Sequence, residues 1–189
     1  MPKITILCED IDQERFIRQY LICRGVSKRD ISTYPNVKRN KVENNNASIL
    51  RDYPKLVNSY RSKKHQDLAI VVMIDADDTS PEHRLRSLNM ALDESEGKLN
   101  KELRIPGEKI AIFVPARNIE TWFTYINGNG DCDETTDYKD SNLSKKSRIE
   151  SAHQAATKLA TEICPKGIDE ISLNSLQLAC KELQRLQLK

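Results

Sequence analysis

The stretch LAIVVMIDADD, residues 68–78, decides the fold, because seven apolar residues in a row lead into a segment that is acidic at three of its four positions. An unbroken apolar run of this length is typical of a central parallel strand covered by helices on both faces. A short, mostly apolar segment at 4–7 and an apolar run at 110–114 predict two further strands, and ISTY at 31–34 is a weaker candidate for another. We therefore expect an α/β fold: a Rossmann-like open parallel sheet of about four strands, sandwiched by helices.

Apolar residues at helical spacing follow each predicted strand. Two closing helices, about 144–163 and 173–187, predict a C-terminal helical extension. The segment between the sheet and this extension contains two glycines and five acidic residues, which favour a flexible loop. We therefore divide the chain into an α/β domain at 1–126, an acidic flexible loop at 127–142, and C-terminal helices at 143–189 packed on the same domain.

Charge and cysteine content restrict the class of protein. The 189 residues have a net charge of +2, but residues 1–64 hold 14 Lys and Arg against 7 Asp and Glu. No apolar run reaches membrane-spanning length and the first residues do not form a signal peptide, so we expect a cytoplasmic protein without a membrane partner. Five cysteines without a C-x-x-C pair predict reduced thiols, and three scattered histidines disfavour a zinc cage.

Acidic residues follow two of the predicted strands. Glu9 ends the first strand, and Asp75 and Asp77 end the long one, where the two-residue period of a strand places them on the same side. If these strands are neighbours, three carboxylates meet at one edge and need a cation, for which Mg²⁺ (or Mn²⁺) is the natural choice. Acids at strand ends are also common as helix caps or solvated loop residues; Asp10, followed by Gln13, is predicted to be such a cap.

A Glu after the first strand and D-x-D after a later strand resemble the TOPRIM domain of topoisomerases, primases and OLD-family nucleases. The resemblance covers roughly residues 3–126. Within that superfamily the chain is most similar to small stand-alone bacterial proteins of the RloB type, often linked to phage defence, because PARNIETWF at 115–123 matches their motif after the fourth strand. In that motif Glu120 precedes Trp122 and Phe123, which we expect to anchor the core.

The resemblance implies a Mg²⁺-dependent nucleic-acid phosphodiesterase, a TOPRIM-type nuclease. Glu9 is then a general base or metal ligand, and Asp75 and Asp77 are metal ligands. Glu120 is either a fourth catalytic carboxylate or an acid in the first helical turn, stabilised there by the helix dipole. The chain departs from the family pattern at Asp10, where a glycine usually follows the glutamate.

A nuclease needs positive charge around such acids to bind a polyanion. Lys38, Arg39 and Lys41 lie in a predicted loop of the basic N-terminal third, and Arg117 lies at a helix N-terminus where a phosphate can bind. Each is equally compatible with a solvated surface. Phosphate contacts do not distinguish DNA from RNA, and the pattern leaves homo-oligomerisation open.

Two other functions remain open. One is a non-catalytic TOPRIM-like interaction subunit of a defence complex, and the other is a receiver-like phosphoacceptor module in which Asp75 accepts the phosphoryl group. The sequence contains no P-loop motif, so an ATPase activity in such a complex would come from a partner protein.

Overall fold

A computed structural model describes residues 1–35, 44–63, 65–96, 104–128, 132–140, 142–164 and 173–188. It contains one sheet of four parallel strands in the order β2-β1-β3-β4. The strands are β1 (Lys3–Leu7), β2 (Ile31–Tyr34), β3 (Leu68–Met73) and β4 (Ile110–Phe113). The predicted α/β class with an open, all-parallel sheet is thus confirmed.

Six α-helices of the described residues pack around the sheet. They are α1 (Ile11–Cys23), α2 (Asn46–Ser62), α3 (Pro81–Glu96), α4 (Ile119–Asn127), α5 (Lys145–Lys158) and α6 (Asn174–Gln184). A short 3₁₀ turn, Lys28–Asp30, precedes β2, and α5 continues into a π-helical turn, Leu159–Ile163. The helix α2 runs through Pro54.

Side chains of β3 alternate between two separate cores. Val71 and Met73 face a core formed with α1, α4, α5 and α6, whereas Val72 and Ile74 face a core formed with α2 and α3. All four are fully buried. Burial on both faces explains why the strand has no polar position, and it makes β3 the centre of a three-layer structure.

The motif after β4 anchors α4 as predicted. The Trp122 side chain is fully buried and Phe123 is 6% exposed, and both pack against Phe16 of α1. The Trp122 indole N–H donates to Ser175 Oγ of α6 at 2.8 Å, which satisfies its only polar group. The C-terminal helix therefore helps to fix the helix that carries Glu120.

The outer edge of β4 is covered by side chains rather than by another strand. The N–H of Ile112 donates to Glu182 of α6 at 2.9 Å, and Arg104 donates to the carbonyl of Ile110 at 3.2 Å. Arg104 and Glu182 also form an ion pair with each other. This arrangement satisfies backbone groups that would otherwise be open to pairing with another chain.

The expectation of five reduced thiols is wrong for two cysteines. Cys164, after the π-helical turn, and Cys180 of α6 form a disulfide bond. The sequence did not indicate the pair because the two residues are 16 positions apart and lie on different elements, so that only tertiary packing brings them together. Cys8, Cys23 and Cys132 are free thiols.

None of the helices in the described part of the chain combines the length and apolar character needed to cross a bilayer.

Residues 132–140, within the predicted acidic loop, contain neither helix nor strand. Their acidic side chains bind neighbouring backbone: Glu134 accepts from the N–H of Ser175 at the start of α6 at 2.8 Å.

Candidate active site

The candidate site lies at the carboxyl edge of the sheet, between β1 and β3. These strands are neighbours, as the sequence led us to expect. The helices that follow them, α1 and α3, lie on opposite faces of the sheet. Ligands of open α/β sheets bind at such a switch point. Glu9 follows β1 and Asp75 follows β3, and Glu9 Oε2 accepts a hydrogen bond from the Asp75 backbone N–H at 2.8 Å.

The first turn of α1 fixes the position of Glu9. Asp10 is the N-cap, as predicted, because its Oδ1 accepts from the N–H groups of Asp12 at 2.9 Å and Gln13 at 2.8 Å. The fully buried Gln13 side chain in turn accepts from the N–H of Glu9 at 3.0 Å. In an ordinary capping box this side chain accepts from the N–H of the N-cap residue, here Asp10. Gln13 instead accepts from the N–H of Glu9, one residue earlier. Asp10, at the position where TOPRIM domains usually have a glycine, is accommodated here as a helix cap.

Asp75 is the most strongly perturbed acid of the site. Its Oδ1 atom is buried and has no hydrogen-bond partner within the described residues. Burial raises the pKa of Asp75 well above its usual range, and the charges of Glu9, Asp10, Glu120 and Asp77 add to that effect. The predicted carboxylates are therefore close enough to repel one another. Such a group requires either a shared proton or a cation.

Asp77 reaches the site by a different route from the one predicted. The alternation of strand side chains does not extend to it because β3 ends at Met73, and Asp77 adopts a left-handed backbone conformation with φ of 52°. Its Oδ2 accepts from Asn46 of α2 at 2.6 Å and from Arg84 of α3 at 3.3 Å. Its charge nevertheless raises the pKa of Glu9, second to burial among the causes that raise it.

Arg84 holds the turn that carries both aspartates. Its guanidinium donates to the carbonyl oxygens of Asp75 at 3.0 Å and Ala76 at 3.3 Å, in addition to the Asp77 carboxylate. The Arg84 side chain is 12% exposed, so this cation is largely removed from water. The sequence did not single out Arg84, because nothing in its local pattern separates it from a solvated arginine in the first turns of a helix.

The loop after β4 runs beside the D-x-D turn. The Asp77 N–H donates to the carbonyl oxygen of Arg117 at 2.9 Å, and Arg117 has a positive φ of 60°. Two non-glycine residues in the left-handed region, joined by a hydrogen bond, mark local strain of the kind found at functional sites. The Arg117 guanidinium pairs with Asp78 at 2.5 Å, so the predicted phosphate ligand is engaged by a carboxylate.

Glu120 lies in the first turn of α4 with its carboxylate towards the start of α1. Burial raises the pKa of Glu120, and the charges of Asp10 and Asp12 raise it further. Lys139 opposes this shift at both Glu120 and Asp10. Glu120 therefore lies in the first turn of a helix, and the neighbouring acids affect its pKa; its catalytic role stays a prediction.

Lys139 is a site cation that the sequence analysis missed. Its backbone N–H donates to Asp137 Oδ1 at 2.9 Å, and that oxygen also accepts from Asn118, the N-cap of α4, at 2.6 Å. These contacts attach the loop 132–140 to the helix that carries Glu120. No local signal could identify Lys139, because it lies in a segment whose composition predicts only a solvated loop.

Not all predicted site residues can be placed. Lys38, Arg39 and Lys41 lie outside the described residues. Within the part of the chain that is described, no three Asp, Glu, His or Cys side chains form a preformed metal-binding group. The acids are gathered, but Glu9 Oε2 and Asp77 Oδ2 both accept hydrogen bonds from protein donors.

Comparisons with protein-family models, with curated proteins and with solved structures give no match to this chain. The similarity to TOPRIM proteins consequently rests on the residues quoted above, and any function must be argued from the site itself.

Proposed function

We propose that this protein is a divalent-metal-dependent nucleic-acid phosphodiesterase whose site is the acidic cluster at the carboxyl edge of the sheet. The observation that carries the proposal is the buried Oδ1 of Asp75, which lacks a partner among the described residues and lies among other carboxylates. A cation would satisfy this oxygen and offset the mutual repulsion. Oxygen donors of this kind suit Mg²⁺ or Mn²⁺.

The residues fit such an ion as follows. Asp75 and Asp77 would hold it, with Glu9 or Glu120 completing the carboxylate set. When bound, the ion supplies charge neutralisation at the phosphate and a more acidic bound water. Glu9 has a raised pKa, so its carboxylate is a stronger base than an ordinary glutamate, and we assign proton acceptance to the Oε1 atom that does not bind Asp75.

The protein supplies the rigid frame for this chemistry. Gln13 fixes the backbone at Glu9, and Arg84 fixes the carbonyl oxygens of Asp75 and Ala76. Because these contacts come from α1 and α3, the two strand ends keep their separation when substrate binds. Positions held in this way are the requirement for orienting a phosphodiester against a base.

A second candidate function is a non-catalytic interaction subunit. The observation that favours it is the absence, within the described residues, of a group of three side chains already arranged for an ion. In that case Glu9 and Asp77 would serve only to join α1, α2 and α3 at the sheet edge. An antiviral role with an ATPase partner follows from the family resemblance alone.

Cleavage assays separate the two functions. Supercoiled DNA, single-stranded DNA and structured RNA are incubated with the wild type and the Glu9→Gln and Asp75→Asn variants, with Mg²⁺, Mn²⁺ or EDTA. Asp78→Asn is the matched control, because this acid is 91% exposed on the same turn. We expect metal-dependent cleavage that both site variants lose and the control keeps. Absence of cleavage by folded wild type on every substrate would contradict the proposal.

A further inference from the structure

A polar cleft runs along the outer face of α1 and is lined by residues other than those of the acidic cluster. It has a volume of about 270 Å³ and lies between α1, the 3₁₀ turn before β2, and α5. The residues that line it are Ile11, Glu14, Arg15, Arg18, Gln19, Ile22, Lys28 and His153. The volume is below the range of most small-molecule pockets, which run from about 300 to 1,000 Å³. It suits a small polar group better than a complete cofactor.

The charge of the cleft is positive. Arg18 is occupied within the fold, because it donates to Glu14, to the carbonyl of Ile31 and to Thr33. This network also uses Glu14, the only carboxylate among the described residues that line the cleft. Arg15 and Lys28 therefore set the charge offered to a ligand.

Arg15 is held at the wall of the cleft with part of its guanidinium unused. Its Nη1 pairs with the buried Asp12 at 2.7 Å, and the side chain is 14% exposed. Its Nε and Nη2 make no hydrogen bond within the described part of the chain, and they form a planar pair of donors suited to a phosphate. Lys28 and His153 are exposed at the rim.

The cleft adjoins the acidic site through one turn of helix. Arg15 follows Asp10 by five residues, so it lies about 7 Å further along the axis of α1 at a rise of about 1.5 Å per residue. Asp12, the partner of Arg15, raises the pKa of both Asp10 and Glu120. Arg148 of α5 also approaches Asp12, at 4.0 Å. A chain of phosphates that leaves the acidic cluster along α1 would meet these cations next.

We propose that this cleft is a phosphate-binding subsite that holds the backbone of a polynucleotide strand beside the acidic cluster, with Arg15 and Lys28 as its phosphate ligands. The inference rests on the proposed function for its substrate class. The strand is then bound by residues other than the acids, because a cluster of carboxylates cannot itself attract a polyanion. Contacts of this type hold the backbone without reading sequence.

Binding in EDTA tests the subsite without cleavage. Fluorescein-labelled single-stranded DNA, RNA and duplex DNA are titrated with the full chain over a series of salt concentrations, for Lys28→Gln and for Gln19→Glu, which adds a negative charge within the cleft. The matched controls are Ser59→Glu, at an exposed position of α2, and Lys63→Gln, at the exposed C-cap of the same helix; α2 packs on the opposite face of the sheet. Circular dichroism verifies that each variant is folded.

We expect Lys28→Gln to weaken binding about 3- to 10-fold at low salt and to reduce the slope of log K against log salt by about 1. Gln19→Glu should weaken binding at least as much, while both α2 controls bind as the wild type does. Glu9→Gln should bind at least as tightly as the wild type, because it removes a negative charge beside the strand, even though the proposed function requires it to lose cleavage. Wild type that binds in this Lys28-dependent manner but cleaves nothing would support the subsite and contradict only the enzyme.

Two results would overturn the subsite. One is equal loss of binding in the cleft variants and the α2 controls, since it would indicate a diffuse surface effect. The other is wild-type affinity and an unchanged salt slope in both Lys28→Gln and Gln19→Glu, since this would place the strand outside the cleft.

Discussion

Glu9 Oε2 accepts a hydrogen bond of 2.8 Å from the backbone N–H of Asp75, although 66 residues separate them in the chain. The bond joins the ends of two neighbouring parallel strands. It also places the Glu9 carboxylate beside a second acid that is less exposed to water, and burial raises the pKa of both groups. The sheet edge therefore stores electrostatic repulsion that a bound cation would relieve.

Neutralising Asp75 should stabilise the protein at neutral pH. An acid whose pKa is raised in the folded state binds its proton more tightly there than in the unfolded chain, so stability falls as pH rises from about 4 through the folded pKa. We expect Asp75→Asn to increase the free energy of unfolding by about 1–3 kcal/mol at pH 7. The gain should disappear near pH 4, where the Asp75 carboxyl group of the wild type is protonated. Urea unfolding at both pH values measures it.

The control for this experiment is Asp78→Asn. Its carboxylate is exposed, so the change should remain within about 0.5 kcal/mol at either pH. If Asp75→Asn destabilises the protein at pH 7, the carboxylate is stabilised by partners that the structure does not show, and the electrostatic account of the site is wrong.

Arg84 should matter for both stability and activity because it fixes the D-x-D turn. Arg84→Met removes three hydrogen bonds and leaves two carbonyl oxygens without this donor. We expect a loss of about 1–3 kcal/mol and a fall in any metal-dependent cleavage. Arg86→Met, at an exposed position of the same helix, is the control. Equal thermal stability of the two variants would show that Arg84 does not hold the turn.

The disulfide between Cys164 and Cys180 should be detectable by counting thiols. Alkylation of the denatured protein without reductant should label three cysteines, and five after reduction. Closing a loop of this length stabilises a protein by about 3 kcal/mol, so Cys180→Ser should unfold more easily than the oxidised wild type, while Cys23→Ser should not. Labelling of all five thiols without reductant would restore the expectation from the sequence.

Sequence reasoning predicted the frame of the molecule because hydrophobic pattern is local. The apolar run at 68–74 requires cover on both faces, and β3 has it. The adjacency of Glu9 and Asp75 followed from the same logic once β1 and β3 were assumed to be neighbours. The Asp10 cap and the buried Trp122 were also predicted and are confirmed.

The remaining features depend on contacts between distant elements. Asp77 leaves the strand alternation because its backbone turns left-handed where it meets the loop of Arg117. Lys139 acquires its position only through Asn118 and Asp137, which attach its loop to α4. Neither the backbone conformation of Asp77 nor the position of Lys139 can be predicted from the spacing of residues in the sequence. The sequence therefore predicted that acids gather at this sheet edge, but it did not single out Arg84 and Lys139.

Direct measurement of metal binding tests the central claim, that the acids at this sheet edge form a divalent-cation site. Mn²⁺ is titrated into the full-length wild type, Asp75→Asn and Asp78→Asn, and free Mn²⁺ is measured by electron paramagnetic resonance. The account predicts saturable binding by the wild type and Asp78→Asn, accompanied by a rise in melting temperature, and no such binding by Asp75→Asn. Equal Mn²⁺ binding by all three proteins, or none by the folded wild type, would contradict it.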